Sequence, residues 1–269
     1  MKRVLSVQDL SCVGRCSLTV ALPVLSAMGC QCSVLPTGVL STHTGFPGPF
    51  FHPLTEDIPQ IAAHWQSQNI PFDAIAVGYL ASPQQAQVVE QVLSGYDCPV
   101  VVDPAMGDHG KLYSKLGSEH VSAMAAVCRR GTYLLPNVTE AALLTGLAYR
   151  ETPDKAYLQQ LLDGLLDFGA EAVIITGVTG KQGRIGFVGK KRGEEPFFYE
   201  RPCIPRQFHG TGDLFTAVFT GALLRGADLQ GAAEAAAGFV ERCIEATKTV
   251  TPYGVEFETQ LPYLWQEKI

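Results

Sequence analysis

The residues best suited to chemistry lie at His209-Gly210-Thr211-Gly212-Asp213, just before the apolar positions Leu214, Phe215, Val218, Phe219 and Leu223. Glycines let a backbone come close to a ligand. The first N–H groups of the helix that follows lack intrahelical acceptors and carry partial positive charge, so they suit an anion. Gly210, Thr211 and Gly212 form a candidate anion hole, with the Thr211 hydroxyl as a further donor. Asp213 falls in the first helical turn. A carboxylate there would repel a bound phosphate, which makes it a poor choice for phosphate binding alone. It makes sense as a base for an alcohol that attacks that phosphate. The plainer alternative is a tight turn followed by an acid that complements the helix dipole.

Two further segments place acids after strands. Pro136-Asn137-Val138-Thr139-Glu140 opens a helix, and Asn137 with Glu140 three residues on matches a capping box. The functional alternative sets the Asn137 amide and the Glu140 carboxylate towards a hydrated Mg²⁺, an ion that keeps several waters and takes few protein oxygens. Asp103-Pro104-Ala105-Met106-Gly107-Asp108 reads either as an Asp-Pro turn or as acidic help near a metal and nucleotide phosphates.

These residues need elements to hold them. Short apolar runs at Arg3–Val7, Cys32–Leu35, Ala74–Val77, 100–102, 134–135 and 172–175 read as strands. Between them lie helical patterns: 17–28 interrupted near Pro23, 56–68 capped by Thr55, 83–93 capped by Ser82, and one after Thr152-Pro153 with its leucine stripe. Residues 183–201 suggest an antiparallel edge hairpin turning at 189–193, with Lys190-Lys191-Arg192 as a solvated tip. Helices at 212–224 and 229–247 complete the chain. The pattern implies one α/β domain over 1–269, a mostly parallel sheet with helices on both faces. In such a sheet ligands bind beyond the carboxyl ends of the strands. That position holds Asp9, Thr44, Tyr79, Asp103, Asn137, Thr176 and the loop at Gly210.

Composition narrows the function classes. The chain has 269 residues, 46% hydrophobic and 17% charged, which excludes a disordered or fibrous protein. Twenty Lys and Arg against 26 Asp and Glu give a net charge of −6, which argues against a nucleic-acid or anionic-membrane binder. The apolar run at 4–7 is too short for a secretory leader, and no run is long enough to span a membrane. The eight cysteines form no C-x-x-C pair or zinc spacing, and most read as small buried residues of a cytoplasmic protein.

The order of these motifs resembles the ribokinase-like superfamily, a three-layer α/β sandwich, and within it the pyridoxal/pyridoxamine (vitamin B6) kinases. Ser41-Thr42-His43-Thr44-Gly45-Phe46, Gly78-Tyr79, Asp103 to Tyr113, Leu135 to Gly146 and the Gly-Thr-Gly-Asp turn carry the resemblance, in register from Val4 to about Arg225. It implies an ATP- and Mg²⁺-dependent kinase, with a monovalent cation such as K⁺ as an optional third cofactor. The acceptor would be the 5′-hydroxymethyl group of a B6 vitamer. Asp213 would be the catalytic base, Gly210, Thr211 and Gly212 the anion hole, and Asp103, Thr176 and Thr211 nucleotide contacts. Asn137, Glu140 and Asp103 would lie at the metal. His43, Thr44 and Tyr79 would line the vitamer pocket. Asp108 would be accessory, and Gly45–Pro49 and Asp108–Tyr113 candidate covers. The resemblance further implies a homodimer.

Two residues depart from the B6 pattern towards the related hydroxymethylpyrimidine kinases. Asp9 stands where many pyridoxal kinases have serine, and an acid there suits a protonated pyridine nitrogen or a ring amine. His209 precedes the glycine turn as in the pyrimidine enzymes, and could bond the transferring phosphate or simply pack in its loop. A hydroxymethylpyrimidine kinase and a non-catalytic ligand-binding relative are the rival expectations.

Overall fold

The computed structural model describes residues 1–266. In chain order the elements are β1 (Arg3–Ser11), α1 (Leu18–Ala27), β2 (Gln31–Leu40), β3 (Phe51–Pro53), α2 (Ile58–Ser67), β4 (Ala74–Val77) and α3 (Pro83–Leu93). Then come β5 (Val100–Val102), β6 (Gly107–Asp108), β7 (Lys111–Leu112), α4 (Ser118–Cys128), β8 (Tyr133–Leu134), α5 (Val138–Thr145) and α6 (Lys155–Leu166). The rest is β9 (Ala172–Thr179), β10 (Arg184–Lys191), β11 (Phe197–Pro202), α7 (Thr211–Leu224), α8 (Leu229–Ala246) and α9 (Leu261–Gln266). The chain forms two compact units.

The first unit comprises Met1–Gly78 and the chain from Ile204 onward. Its strands lie in the order β4-β1-β2-β3, parallel except for β3, which runs antiparallel to β2 from Gly38↔Pro53 to Leu40↔Phe51. The residues Val4 to Asp9 of β1 are all buried, as are all of β4, which explains why these strands are continuous apolar runs rather than alternating ones. Strand β1 is longer than its apolar core and carries Asp9 within it. Its register with β2 slips between Gln8 and Leu10, so a bulge sits opposite Asp9. Helix α7 packs on α1, α8 and β4. Helix α1 runs unbroken through Pro23, whereas the sequence suggested an interruption. Helix α2 begins at Ile58: Thr55, Glu56 and Asp57 form a turn, and Pro59 occupies the first helical turn.

The second unit is Tyr79–Cys203. Strands β5, β8 and β9 are parallel, and β10 and β11 add an antiparallel edge. Ser82 caps α3 as expected, its hydroxyl accepting from the Gln85 N–H at 3.1 Å. Helix α6 is capped by Asp154, not by Thr152, and Asp154 accepts from the Tyr157 N–H at 2.8 Å. The short hairpin β6–β7 and helix α4 were not anticipated.

The edge hairpin turns after Lys191, later than expected, and its basic residues are not a solvated tip. Lys190 pairs with Asp163 of α6 at 2.7 Å and keeps only 15% of its side chain exposed. Arg192 donates to the carbonyls of Leu166 and Ala170, oxygens at the carboxyl end of α6 and just beyond it. A cation at that end satisfies orphan carbonyls and opposes the helix dipole. Arg192 stays exposed despite these bonds, and Lys191 is exposed beside Glu194 at 3.5 Å.

His120 in α4 is fully buried, and neither ring nitrogen has a hydrogen-bond partner. Burial lowers its pKa below the ordinary imidazole value. The unfolded chain therefore takes up a proton at a higher pH than the folded chain, so this group's contribution to stability is lost as pH falls below about 6.5. His120→Leu is expected to stabilise the protein by about 1–2 kcal/mol at pH 7 and by more at pH 5.5. Thermal unfolding at both pH values checks this; an unchanged pH slope would contradict it.

Candidate active site

In the first unit a set of loops converges on the N-terminus of α7. Gly210 is the N-cap, with φ of 86°, and no side chain caps the helix. An alanine Cβ at Gly210 would overlap the carbonyl oxygen of Arg15, so glycine is required both by conformation and by space. Thr211 and Asp213 are half-buried and Gly212 is exposed, all within the first turn. The N-cap residue thus offers no side-chain acceptor to the first amides.

Cys16 lies within electrostatic reach of two acids of this unit, Asp213 and Asp9. Its thiol is pushed well above its ordinary pKa, first by burial and then by the charges of Asp213 and Asp9. Both carboxylates therefore belong to one neighbourhood. Asp9 is 4% exposed and is held on both oxygens: Ser17 Oγ donates to Oδ1 at 2.5 Å and Ser11 Oγ to Oδ2 at 2.8 Å. Burial raises its pKa and the two hydroxyls oppose that rise. Ser17 reaches Asp9 from a strained backbone, φ 53° and ψ −127°, and leaves its own helix uncapped by a side chain.

His43 is buried and its two nitrogens are used by the backbone. Nδ1 accepts from the Gly45 N–H at 3.1 Å, so Nε2 carries the proton and donates to the Pro252 carbonyl at 2.6 Å. The ring lies 4.6 Å from that of His209 and 4.9 Å from that of Phe46. A Cβ at Gly45 would meet His209 Nε2 at 2.6 Å, so glycine is what lets the 43–46 turn close on the loop before α7. His209 has its pKa lowered by burial and then by His43. Its carbonyl accepts from the Val255 N–H at 3.1 Å, and the Arg15 N–H donates to the Tyr253 carbonyl at 2.9 Å. Thr44 is exposed on the same turn.

The second unit holds the other acids. Asp103 follows β5 and accepts from the Ala105 N–H at 3.2 Å. Asn137 and Glu140 form a full capping box at the start of α5. Glu140, 2% exposed, accepts from three backbone N–H groups: Met106 at 3.0 Å, Gly107 at 3.4 Å and Asn137 at 2.9 Å. The Asn137 amide donates to the Gly107 carbonyl at 2.8 Å. Burial, then the nearby charge of Asp103, raises the Glu140 pKa, and the three N–H bonds oppose this. Thr176 pairs with this segment: its N–H donates to the Pro136 carbonyl at 2.9 Å. Asp108 is exposed beside His109, at 3.5 Å. Tyr79, directly after β4, is half-buried.

The polar atoms of Asn137 and Glu140 are thus engaged by the protein itself. No group of three or more metal-ligating acids, histidines or cysteines gathers among the described residues. Two carboxylates close enough to raise one pKa do favour a nearby cation. The donor set fits a Mg²⁺ that keeps its waters and is held through them, rather than one ligated directly by Glu140.

Sequence reasoning missed Ser11, Ser17 and the loop 251–255. Ser11 was within reach, because residues two apart on a strand share a face. Ser17 and Pro252 were not, since a strained φ and a long-range carbonyl leave no local pattern.

Comparison with known proteins bears on the family and the fold. A Bacteroides thetaiotaomicron protein, provisionally classed as a phosphomethylpyrimidine kinase and crystallised with pyridoxal, superposes with a TM-score of 0.93 at 37% identity, covering 98% of this chain and 95% of its own. Pyridoxal kinase from Lactobacillus plantarum gives a TM-score of 0.91 at 34% identity over 98% and 96% of the two chains. The pyridoxine/pyridoxal/pyridoxamine kinase of Bordetella avium is 29% identical over 91% of this chain and 85% of its own. The model of the phosphomethylpyrimidine kinase family matches residues 22–256. The mostly parallel sheet with its antiparallel edge hairpin is the fold these proteins share, and the chain belongs to the phosphomethylpyrimidine kinase family, among its relatives of the pyridoxal kinase type.

Proposed function

We propose that this protein is an ATP-dependent kinase that phosphorylates the 5′-hydroxymethyl group of a B6 vitamer, both units working as one kinase domain. The observation that carries the reading is Asp213 in the first turn of a helix whose N-cap is a glycine with no room for a side chain. Acid and anion site are then one structure. The alcohol oxygen attacks the γ-phosphorus, the bond to the β-phosphate oxygen breaks, ADP leaves, and Asp213 takes the alcohol proton. The amides of Gly210, Thr211 and Gly212 hold the migrating phosphoryl group. Asp9, Thr44 and Tyr79 face the vitamer, and His43 shapes that side through the turn it fixes. Asp103 and Thr176 serve the nucleotide. Asp103, Asn137 and Glu140 would hold Mg²⁺ through its waters, and the ion, when bound, would supply charge neutralisation for the donor phosphates.

No helix among the described residues is long and apolar enough to cross a membrane, and the eight cysteines are free thiols, which supports a reducing, cytoplasmic setting. The homodimer rests on the resemblance.

Asp9 and His209 favour a second reading, a hydroxymethylpyrimidine kinase. One steady-state panel of ATP with pyridoxal, pyridoxamine, pyridoxine and hydroxymethylpyrimidine separates the two. Turnover of at least one vitamer with a higher kcat/KM than the pyrimidine is expected. A preference for the pyrimidine would replace the first reading with the second, and binding of vitamers without ATP consumption would remove both.

A further inference from the structure

The segment after Asp103 is a hairpin fastened at two separate points. Its turn residues His109 and Gly110 have φ of 50° and 75°, the left-handed pair that a tight two-residue hairpin requires. Strands β6 and β7 pair through Gly107↔Leu112 and Asp108↔Lys111. At the base, Glu140 accepts from Met106 and Gly107 while the Asn137 amide donates back to the Gly107 carbonyl. At the tip, the Gly110 N–H donates to Thr139 Oγ1 at 2.9 Å. The ring of Tyr149 lies so near Gly110 that a Cβ there would meet its Cδ1 at 2.6 Å. Thr139 is buried, and its hydroxyl has no part in the capping box of its own helix.

The two attachments differ in strength. The base is held by three hydrogen bonds, two to the buried Glu140 carboxyl from Met106 and Gly107 and one from the Asn137 amide. The tip is held by one neutral hydrogen bond and a ring face. An excursion of the hairpin therefore releases the tip first, with the base acting as hinge. The hairpin begins four residues after Asp103, and its base is bonded to Asn137, the residue that bridges Thr176.

We propose that Thr139 is a positioning residue that latches the 107–112 hairpin, and that this latch sets the affinity for the phosphate donor beside Asp103 and Thr176. The inference rests on the kinase reading for its nucleotide part alone. Thr139→Val keeps shape and removes the acceptor; Thr139→Ser keeps the acceptor. Backbone hydrogen exchange on the full chain should show the Gly110 amide exchanging about fivefold faster or more in Thr139→Val, with Met106 and Gly107 unchanged and Ser restoring protection. KM for ATP should rise about fivefold, with kcat for the vitamer within about twofold. An unchanged Gly110 exchange rate overturns the latch. Faster exchange with an unchanged KM for ATP overturns its role in donor binding. If the wild-type chain turns over no vitamer, the kinase reading fails while exchange still decides whether the latch exists.

Discussion

Asp213→Ala should lower kcat by about 10²–10⁴-fold while KM for ATP moves by no more than about threefold. The split follows from where the side chain sits. In the proposed site the anion would be held by backbone amides of α7, and these survive loss of a side chain in the same turn. Gly210 keeps its left-handed φ because the Arg15 carbonyl leaves space only for glycine. What disappears is the acceptor for the alcohol proton. Removal of a negative charge beside an anion site should, if anything, favour binding of the donor phosphates. Asp213→Asn is the sharper variant, since it retains shape and polarity but cannot take a proton. Steady-state kinetics on both variants with ATP and the preferred vitamer read the result. Full activity in either would refute general-base catalysis at this position and return Asp213 to the role of a dipole-complementing acid.

Glu140→Ala should cost about 3 kcal/mol of stability without any metal present, a fall in Tm of roughly 6–12 °C. Three backbone N–H groups, of Met106, Gly107 and Asn137, lose their acceptor together, in a site that water does not reach. An orphaned buried donor costs about 1–3 kcal/mol, and the relief of a desolvated charge near Asp103 offsets part of the sum. Glu140→Gln should fall between the two proteins, because its amide nitrogen faces a donor on one side. A residue that only ligated Mg²⁺ would behave differently: its loss would leave the metal-free Tm unchanged and weaken only the stabilisation that added Mg²⁺ provides. Thermal unfolding in chelator and in excess Mg²⁺ therefore distinguishes a backbone clamp from a metal ligand. Equal metal-free Tm values for wild type and Glu140→Ala would defeat the clamp.

The motif Asn-Val-Thr-Glu shows how one string supports two structures. Its spacing is equally good for a capping box and for residues near a hydrated ion. The choice depends on what else lies within hydrogen-bond reach, and here that is the backbone of residues 106 and 107, more than thirty positions before Glu140. The basic run 190–192 makes the same point. Three adjacent cations look alike in sequence, yet Lys190 is drawn to α6 by Asp163, Arg192 by carbonyls near its carboxyl end, and Lys191 pairs with Glu194.

The order of the main strands and helices, the parallel sheet, the edge hairpin and the glycine turn before α7 were legible in the letters, whereas β3, the β6–β7 hairpin, α4 and α9 were not. Each legible feature rests on interactions local in the chain: burial on both faces makes a run apolar, Ser-Pro starts a helix, and only glycine tolerates the backbone at position 210. The surroundings of the candidate site were decided by folding alone. Asp9 is held by a serine in a strained conformation, His43 by a carbonyl 209 residues away, and Glu140 by the base of a hairpin. A hydrogen bond needs its partner at about 3 Å, and nothing in residue types or spacing records which distant backbone atom the packed core will bring there.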